Sequence, residues 1–347
     1  MLWRVVRNGL SRSTVPLRLL LPYLLLALCV LVSGLNWSTD TYGQQKTIRF
    51  LTLTTLSFAA VPAVISSELD FRIFLIAVIA LSVLMVVFGR TTPEGLSAFG
   101  ATHITAGRIV GLGIIACSYL FIRPAGWLVR RLPWLLVAAL LIAGLLSSGS
   151  RGSLVSLLGT GALVAGVTLA IRRGRRYLLT ATALLITTVA AISFIMPAAV
   201  ETMNQRLTRT LSGPLTVTAR TRTERAAVAL EQFFEHPLTG GGIGSFSSSY
   251  GQPDSVRGDY PHNILLEVAS ELGLIGLAAL VLLLLSGLNS PVRMLRAANH
   301  NTAITLTLLA ITGYFLFNAL FSGDLNDNRL LFSALALASS RWAASTG

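Results

Sequence analysis

Charged residues are scarce in this chain of 347 residues: they make up 12% of the sequence, whereas a soluble domain normally carries about 25%. Hydrophobic residues account for 53%, and the mean hydropathy is +0.72. A soluble protein needs enough polar side chains to cover its surface, and this composition does not supply them. We therefore expect a protein whose solvent is lipid.

Lysine is nearly absent, because Lys46 is the single lysine among 27 basic residues and the others are arginine. The net charge of +13 could suggest nucleic acid as a partner. In a membrane protein, however, basic residues fix the orientation and contact anionic lipid, so we expect the lipid bilayer as partner and no nucleic acid. The planar guanidinium also suits phosphate, and genomic base composition is the alternative explanation for this bias.

Several catalytic motifs are missing from the sequence. It contains no H-E-x-x-H, no Walker A lysine, no C-x-x-C pair and no G-x-S-x-G, so metalloprotease, ATPase and α/β-hydrolase functions lack support. Cys29 and Cys117 lie within apolar runs, where small core residues are expected rather than a disulfide. No removable signal peptide is expected at the start of the sequence.

Long apolar runs dominate the sequence, and about 20 such residues span a bilayer as a helix. They predict an all-α fold, a polytopic transmembrane helical bundle of about ten spans. We expect seven spans in residues 1–196, one large loop outside the membrane at 197–263, and three spans in 264–347. The predicted spans are 17–35, 48–66, 70–89, 104–122, 132–148, 152–171, 177–196, 264–288, 303–322 and 328–342.

The distribution of arginine predicts the topology, because cytoplasmic loops carry an excess of basic residues. When the N-terminus is placed in the cytoplasm, most of the arginines that do not belong to the long loop 197–263 lie on the cytoplasmic side. The cluster at 172–176 is among them. No flipped arrangement does as well. Both termini are then cytoplasmic, and the outer loops are 36–47, 90–103, 149–151, 197–263 and 323–327.

The long loop 197–263 contains an amphipathic segment from Arg222 to Glu235. Its apolar residues recur at the spacing of one helix face, and Pro237 is expected to end the helix. The glycine run that follows can adopt positive φ. The residues of the apolar face are Ala226, Ala227, Leu230, Phe233 and Phe234.

Polar residues that are costly in a membrane gather on the predicted outer side. His262 and Asn263 open the eighth span, where Asn263 can cap the helix, and Glu267 and Glu271 follow at intervals of four on its face. A single histidine near several arginines suits a base beside a bound phosphate. The other members of the group are Arg108, His103, Arg151, Asp324, Asn326, Asp327 and Arg329.

Each of these residues also has a purely structural interpretation. Arg151 can anchor a helix end at lipid headgroups, and His262 can be an ordinary loop histidine. Glu271 can pair with Arg108 between spans, and Asp324 with Arg329 locally. The glycine run can be a simple turn. The sequence leaves these alternatives open, although all of the candidates share one side of the membrane.

Five short segments carry a family resemblance through their order and spacing: Ser-Gly-Ser-Arg-Gly-Ser (148–153), Arg222-Thr-Glu, the Phe-Phe-Glu-His-Pro-Leu-Thr-Gly-Gly-Gly-Ile-Gly-Ser-Phe run (233–246), Pro-His-Asn-Ile-Leu-Leu-Glu and its continuation (261–276), and Asp-Asn-Arg (327–329). Over about residues 104–335 the sequence resembles the O-antigen ligase and O-antigen polymerase family of bacterial membrane glycosyltransferases. Two departures are visible: Ala226 stands where the family often has tryptophan, so either Arg220 or Arg222 can match the family's arginine, and the family often has about twelve spans.

This resemblance implies transfer of a glycan from a polyprenyl-pyrophosphate carrier to lipopolysaccharide core, a growing polysaccharide or another surface acceptor. The reaction would take place at the outer, periplasmic face of the bacterial inner membrane, without cofactor or metal. The implied catalytic residues are His262, Arg222 and Arg151. The implied substrate-binding residues are Arg220, Arg225, Arg108, Asn263, Glu267 and Arg329.

Ligase and polymerase share these motifs, so the sequence leaves the choice of acceptor open. A transporter or flippase for a lipid-linked or small solute is the alternative from a different class. Such proteins often carry paired repeats and broken helices near the membrane midplane, and the sequence shows no repeat. A scaffold for envelope assembly is a third interpretation.

Overall fold

A computed structural model of the chain describes residues 15–36, 41–92, 95–122, 132–171, 217–250, 259–297 and 301–345. These residues are mostly helical. The helices are α1 (Leu17–Asn36), α2 (Thr41–Arg49), α3 (Thr55–Val64), α4 (Glu68–Val87), α5 (His103–Ile122), α6 (Leu132–Ser147), α7 (Arg151–Ile171), α8 (Val217–Glu235), α9 (Ser245–Tyr250), α10 (Ile264–Arg296), α11 (Thr302–Phe321), α12 (Arg329–Ser339) and α13 (Arg341–Ser345).

Seven helical segments in the described part of the chain are long and apolar enough to cross a membrane. They coincide with seven of the predicted spans, so a mostly helical fold with seven candidate membrane spans is confirmed. The predicted span 132–148 corresponds to the shorter α6, and the predicted span 177–196 lies outside the described residues, as does the arginine cluster at 172–176. The total of about ten spans remains a prediction.

The last predicted span, 328–342, is two short helices rather than one. The first of them, α12, has 11 residues and is about 16 Å long, roughly half of the hydrocarbon thickness. Every residue from Leu331 to Ser339 is buried, and Ser340 ends the helix with extended backbone angles. Since a helix that is apolar on all sides packs inside a protein, α12 is a core helix.

The second span begins earlier than the sequence predicts. Residues 41–47, expected in an outer loop, form the start of α2, and a π-helical turn at Phe50–Thr54 connects α2 to α3. The polar composition of α2 predicts a loop, but its charged Lys46 is buried and finds partners elsewhere in the chain. The helix is therefore stabilised by contacts that the local sequence does not reveal.

The predicted outer loop 90–103 contains the only strands in the described residues. Arg90–Thr92 (β1) and Gly95–Ser97 (β2) pair antiparallel, with Arg90 opposite Ser97. The described residues are therefore not entirely α-helical, because the predicted all-α fold also contains this two-stranded sheet.

The chain divides into two compact units, each assembled from distant parts of the sequence. Unit one consists of residues 1–66, 215–290 and 318–344, and unit two consists of residues 67–214, 291–317 and 345–347. The division into 1–196, 197–263 and 264–347 follows chain order and remains a prediction.

Unit one has an aromatic core that joins α1, the π-helical turn, α3 and α12. The rings of Tyr23 and Phe58 stack with centroids 3.9 Å apart, and Phe332 meets Phe50 edge to face at 5.7 Å. Aromatic pairs in these geometries stabilise more than their buried area alone. This core fixes α1 to α3 beside the segment that carries Lys46.

Unit two is packed through small residues, as is usual between membrane helices. Gly113 lies against Ser82, and Gly144 lies against Val86, so α4, α5 and α6 approach closely. The Tyr314 hydroxyl donates to the backbone oxygen of Arg108 at 3.2 Å, which joins α11 to α5 within unit two. Cys117 is buried in α5 as a free thiol, as expected.

Candidate functional site

The amphipathic segment predicted in the long loop is α8, which extends from Val217 to Glu235. Arg222 and Arg225 are three residues apart, so they lie on neighbouring positions of the helix surface. Arg222 is exposed, whereas the Arg225 side chain is only 17% exposed. Arg220 is on the same helix, but its side chain lies outside the described part of the structure.

The start of α10 is built as the sequence predicts. The Asn263 Oδ1 accepts hydrogen bonds from the backbone N–H groups of Leu265 at 2.9 Å and Leu266 at 3.2 Å. These are two of the donors that a helix N-terminus leaves unpaired, so Asn263 is the helix cap. This role is structural, and substrate binding by Asn263 remains a prediction.

His262 precedes that cap with a φ of 60°, a left-handed conformation that few residues other than glycine adopt. Histidine and asparagine tolerate this region better than most residues. The Tyr260 ring packs edge to face on the imidazole with centroids 4.4 Å apart. The His262 side chain is thus held by its backbone and its neighbour together.

Arg225 joins His262 to Asp259, and we call Arg222, Arg225, Asp259 and His262 the histidine–arginine cluster. The Arg225 Nη1 donates to His262 Nε2 at 2.5 Å, and Arg225 Nη2 donates to Asp259 Oδ1. The guanidinium also lies over the Tyr250 ring, with Cζ 5.1 Å from its centroid. The cluster belongs entirely to unit one.

The electrostatics of this cluster favour a neutral histidine. Burial is the largest cause, and the positive charges of Arg225 and Arg222 add to it; together they lower the pKa of His262 to about 4 from an ordinary value near 6.5. Because guanidinium has only donors, Nε2 is the accepting nitrogen and the proton is on Nδ1. At neutral pH, the Nε2 of His262 therefore carries the lone pair that a base requires.

A second group of polar side chains is buried in unit one, and we call it the lysine–glutamate network: Tyr42, Lys46, Glu267, Glu271 and Asp324. The Lys46 Nζ is 2.5 Å from Glu267 Oε1 and 2.6 Å from Glu271 Oε2, and all three side chains are at most 2% exposed. Both glutamates lie on one face of α10, as their spacing predicts. Glu271 thus pairs with Lys46 rather than with Arg108.

The lysine–glutamate network also holds the loop before α12. The backbone N–H of Leu325 donates to Glu267 Oε1 at 3.0 Å, and the Tyr42 hydroxyl donates to Asp324 Oδ2 at 3.2 Å. Asp324 Oδ1 accepts from the backbone N–H of Asp327 at 2.6 Å, so Asp324 is not paired with Arg329. Arg329 begins α12 and its side chain is exposed. Substrate binding by Glu267 and Arg329 remains a prediction.

Helix α10 is broken at Gly273, which has φ 63° and ψ −162°. The loop after α8 supplies partners for backbone groups at the break. Leu274 N–H donates to Pro237 O at 2.8 Å, and Gly242 N–H donates to Glu271 O at 3.1 Å. A break in an apolar helix is tolerated where other parts of the protein satisfy its backbone groups in this way.

The glycine run in that loop has the backbone that the sequence predicts, with φ of 71° at Gly240, 100° at Gly242 and 85° at Gly244. A side chain at Gly240 would meet the backbone of Glu271 and Leu272. The run is therefore more than a turn, because only glycine lets the loop approach the broken helix.

Two of the predicted site residues belong to unit two. Arg151 is the first residue of α7, follows Gly149 with its φ of 66°, and has an exposed side chain. Arg108 is half-buried in the first part of α5. Their roles in catalysis or binding remain predictions.

Sequence reasoning missed Asp259 and Lys46 as parts of these clusters. Asp259 is three residues before His262. An acidic residue this close in sequence to the candidate base could have been predicted to pair with one of the arginines. Lys46 was visible as the only lysine. Within the described ranges, no three histidine, cysteine, aspartate or glutamate side chains come together as a metal-ligand set.

Comparison with known families supports the resemblance drawn from the sequence. The family model described as O-antigen ligase matches residues 135–281, which include the histidine–arginine cluster, Arg151 and Glu267 but neither Arg108 nor Arg329. No curated protein matches the chain. Residues 135–281 are therefore similar to the O-antigen ligase and polymerase family, and with the apolar helices this similarity indicates a multi-pass, glycosyltransferase-like protein of the bacterial inner membrane.

Proposed function

We propose that the protein transfers a glycan from a polyprenyl-pyrophosphate carrier to an acceptor hydroxyl at the periplasmic face of the inner membrane. The observation that carries this proposal is the contact between His262 Nε2 and Arg225, inside the segment that matches the O-antigen ligase model. The acceptor is lipopolysaccharide core for a ligase, or a growing polysaccharide for a polymerase.

In the proposed reaction, the acceptor oxygen attacks the anomeric carbon of the donor sugar. The bond from that carbon to the phosphate oxygen breaks, the acceptor proton passes to His262 Nε2, and the carrier pyrophosphate leaves. Arg222 and Arg225 hold the pyrophosphate oxygens and stabilise the charge that grows on them. Arginine supplies this neutralising charge without a metal ion.

The low pKa of His262 fits this sequence of events. An imidazole with a pKa of about 4 is a weak base for a hydroxyl. When the pyrophosphate binds, its negative charge offsets the charges of Arg222 and Arg225, and the pKa of His262 should rise toward its ordinary value. The base would then be strongest when the donor is in place.

A transporter or flippase is the alternative, and the break in α10 at Gly273 favours it because transport sites are often built on discontinuous helices. Purified protein in detergent separates the two, since no gradient or second compartment exists there. Incubation with a lipid-linked glycan and an acceptor should yield the transferred product, and chelator should not reduce the yield. If no product forms while reconstituted vesicles move the lipid-linked glycan across the bilayer, the transfer proposal fails.

The roles of the arginines can be tested separately in the same assay. Arg222→Ala should weaken donor binding and slow transfer, since a contact to pyrophosphate strengthens as the sugar bond breaks. Arg222→Lys should recover only part of both, because an ammonium keeps the charge but loses the bidentate fork. A lysine variant that behaves as wild type would refute the bidentate contact.

A further inference from the structure

The nitrogen of His262 that would take the acceptor proton is occupied in the structure. Nε2 accepts the hydrogen bond from Arg225 at 2.5 Å, and Nδ1, which carries the ring proton, is buried without a hydrogen-bond partner among the described residues. An imidazole whose lone pair is used in this way cannot accept a proton from a hydroxyl. Arg225 must therefore leave Nε2 before His262 can act as a base.

Arg225 is held in this position from several sides. It forms an ion pair with Asp259, whose own backbone N–H donates to Ser247 Oγ at 3.1 Å, and the guanidinium lies over the Tyr250 ring. The contact between Arg225 and His262 is thus supported by several neighbouring groups. Arg225 also keeps one unused donor, because its buried Nε has no hydrogen-bond partner in the described part of the chain.

We propose that Arg225 is a latch on His262 which an anionic pyrophosphate group opens. The inference rests on the proposed function, because it identifies the group that opens the latch with the donor's pyrophosphate. On binding, the guanidinium exchanges the imidazole nitrogen for phosphate oxygens, which are charged acceptors and bind guanidinium more strongly. Nε2 is then free at the moment when the leaving group is in place.

The latch imposes an order on the reaction. Without donor, His262 is neutral but its Nε2 is hydrogen-bonded to Arg225, so the acceptor hydroxyl has no base to receive its proton. With donor bound, the same guanidinium both holds the leaving group and releases the base. Arg225 thus couples donor recognition to base activation, a role distinct from that of Arg222, for which no contact with Nε2 is needed.

Diethyl pyrocarbonate tests the latch directly, because it acylates a histidine nitrogen that has a free lone pair. Full-length protein in detergent at pH 6.5 is treated with the reagent, and the modification rate of each histidine is measured by mass spectrometry. Inorganic pyrophosphate is the probe, and chloride at matched ionic strength is its control. His236, which is exposed, serves as the internal reference.

We expect pyrophosphate to accelerate modification of His262 by roughly 10- to 100-fold, the equilibrium factor for one hydrogen bond to a charged group, and to leave His236 unchanged. Arg225→Gln should modify His262 rapidly without pyrophosphate and show little further response. Should Arg225→Gln fail to fold, Asp259→Asn loosens the arginine without removing it and should give an intermediate rate.

The latch is refuted if pyrophosphate leaves the His262 rate unchanged or lowers it in the wild-type protein. It is equally refuted if Arg225→Gln folds and modifies His262 as slowly as wild type does. Neither result bears on whether purified protein transfers glycan. Conversely, if the protein proves not to transfer glycan, an effect of pyrophosphate on the modification rate of His262 would remain a valid observation.

Discussion

Removal of the Lys46 charge should destabilise unit one strongly. Lys46 is the single cation of the lysine–glutamate network, and its Nζ lies within 2.6 Å of both glutamates. Lys46→Met leaves Glu267 and Glu271 buried with no counter-charge. Removing one partner of a buried ion pair costs about 3–5 kcal/mol, so we expect a loss of that size in the free energy of unfolding.

The charge balance of the network predicts an asymmetry. With one lysine and two glutamates, these three groups have a formal charge of −1, so Glu271→Gln leaves a balanced pair of Lys46 and Glu267. The new amide can still accept a hydrogen bond from Lys46. We therefore expect Glu271→Gln to cost no more than about 1.5 kcal/mol, the net value of an ordinary hydrogen bond.

Thermal unfolding in mild detergent, followed by size-exclusion chromatography of the remaining folded protein, measures both effects. At about 2–4 °C per kcal/mol, Lys46→Met should lower the Tm by roughly 6–20 °C. Arg49→Met is the matched control, because Arg49 is exposed on the same helix and should cost less than about 0.5 kcal/mol. If Lys46→Met melts as wild type does, or Glu271→Gln melts as low as Lys46→Met, the assignment of the network is wrong.

Three further predictions concern the loop, the topology and the pH dependence. Gly240→Ala should lower the free energy of unfolding by about 1–3 kcal/mol, because φ is 71° and the added carbon meets the α10 backbone. Gly161 faces open space, so Gly161→Ala should be neutral or stabilising in the same melting assay. Ser249→Cys should react with an impermeant thiol reagent on whole cells and Gly174→Cys should not; the reverse pattern would overturn the topology. Protonation removes the lone pair of His262, and its pKa is near 4. The kcat/KM should therefore stay level from pH 8 to about pH 5 and fall below pH 5. A fall centred near pH 6.5 would instead show an unperturbed histidine.

The sequence predicts α8, the cap of α10 and the glycine loop because each depends on local chemistry. Asn263 precedes an apolar run, Pro237 follows an amphipathic one, and consecutive glycines permit positive φ. The seven long apolar segments follow from length and hydropathy alone. These features need no knowledge of which segments meet in space.

The partners of Lys46 could not be predicted in this way. A charged residue near the start of an apolar run predicts a loop, and the carboxylate of Glu271 that neutralises it is 225 residues later in the chain. The same limit applies to Arg225: its helix and its charge are visible in the sequence, but its contact with His262 depends on how the loop at 259–263 returns to α8. The burial of α12 is likewise a property of its neighbours.

If His262 is the base for glycan transfer, His262→Asn should abolish that role while preserving the fold. Asparagine tolerates the left-handed backbone at this position but cannot take up the acceptor proton. The single-turnover transfer rate and the donor Kd are measured on the same preparation of purified protein. We expect a rate lower by roughly 10²–10⁴-fold with a donor Kd that is unchanged or lower, because the substitution also removes the imidazole that competes with the donor for Arg225; transfer at the wild-type rate would show that His262 is not the base.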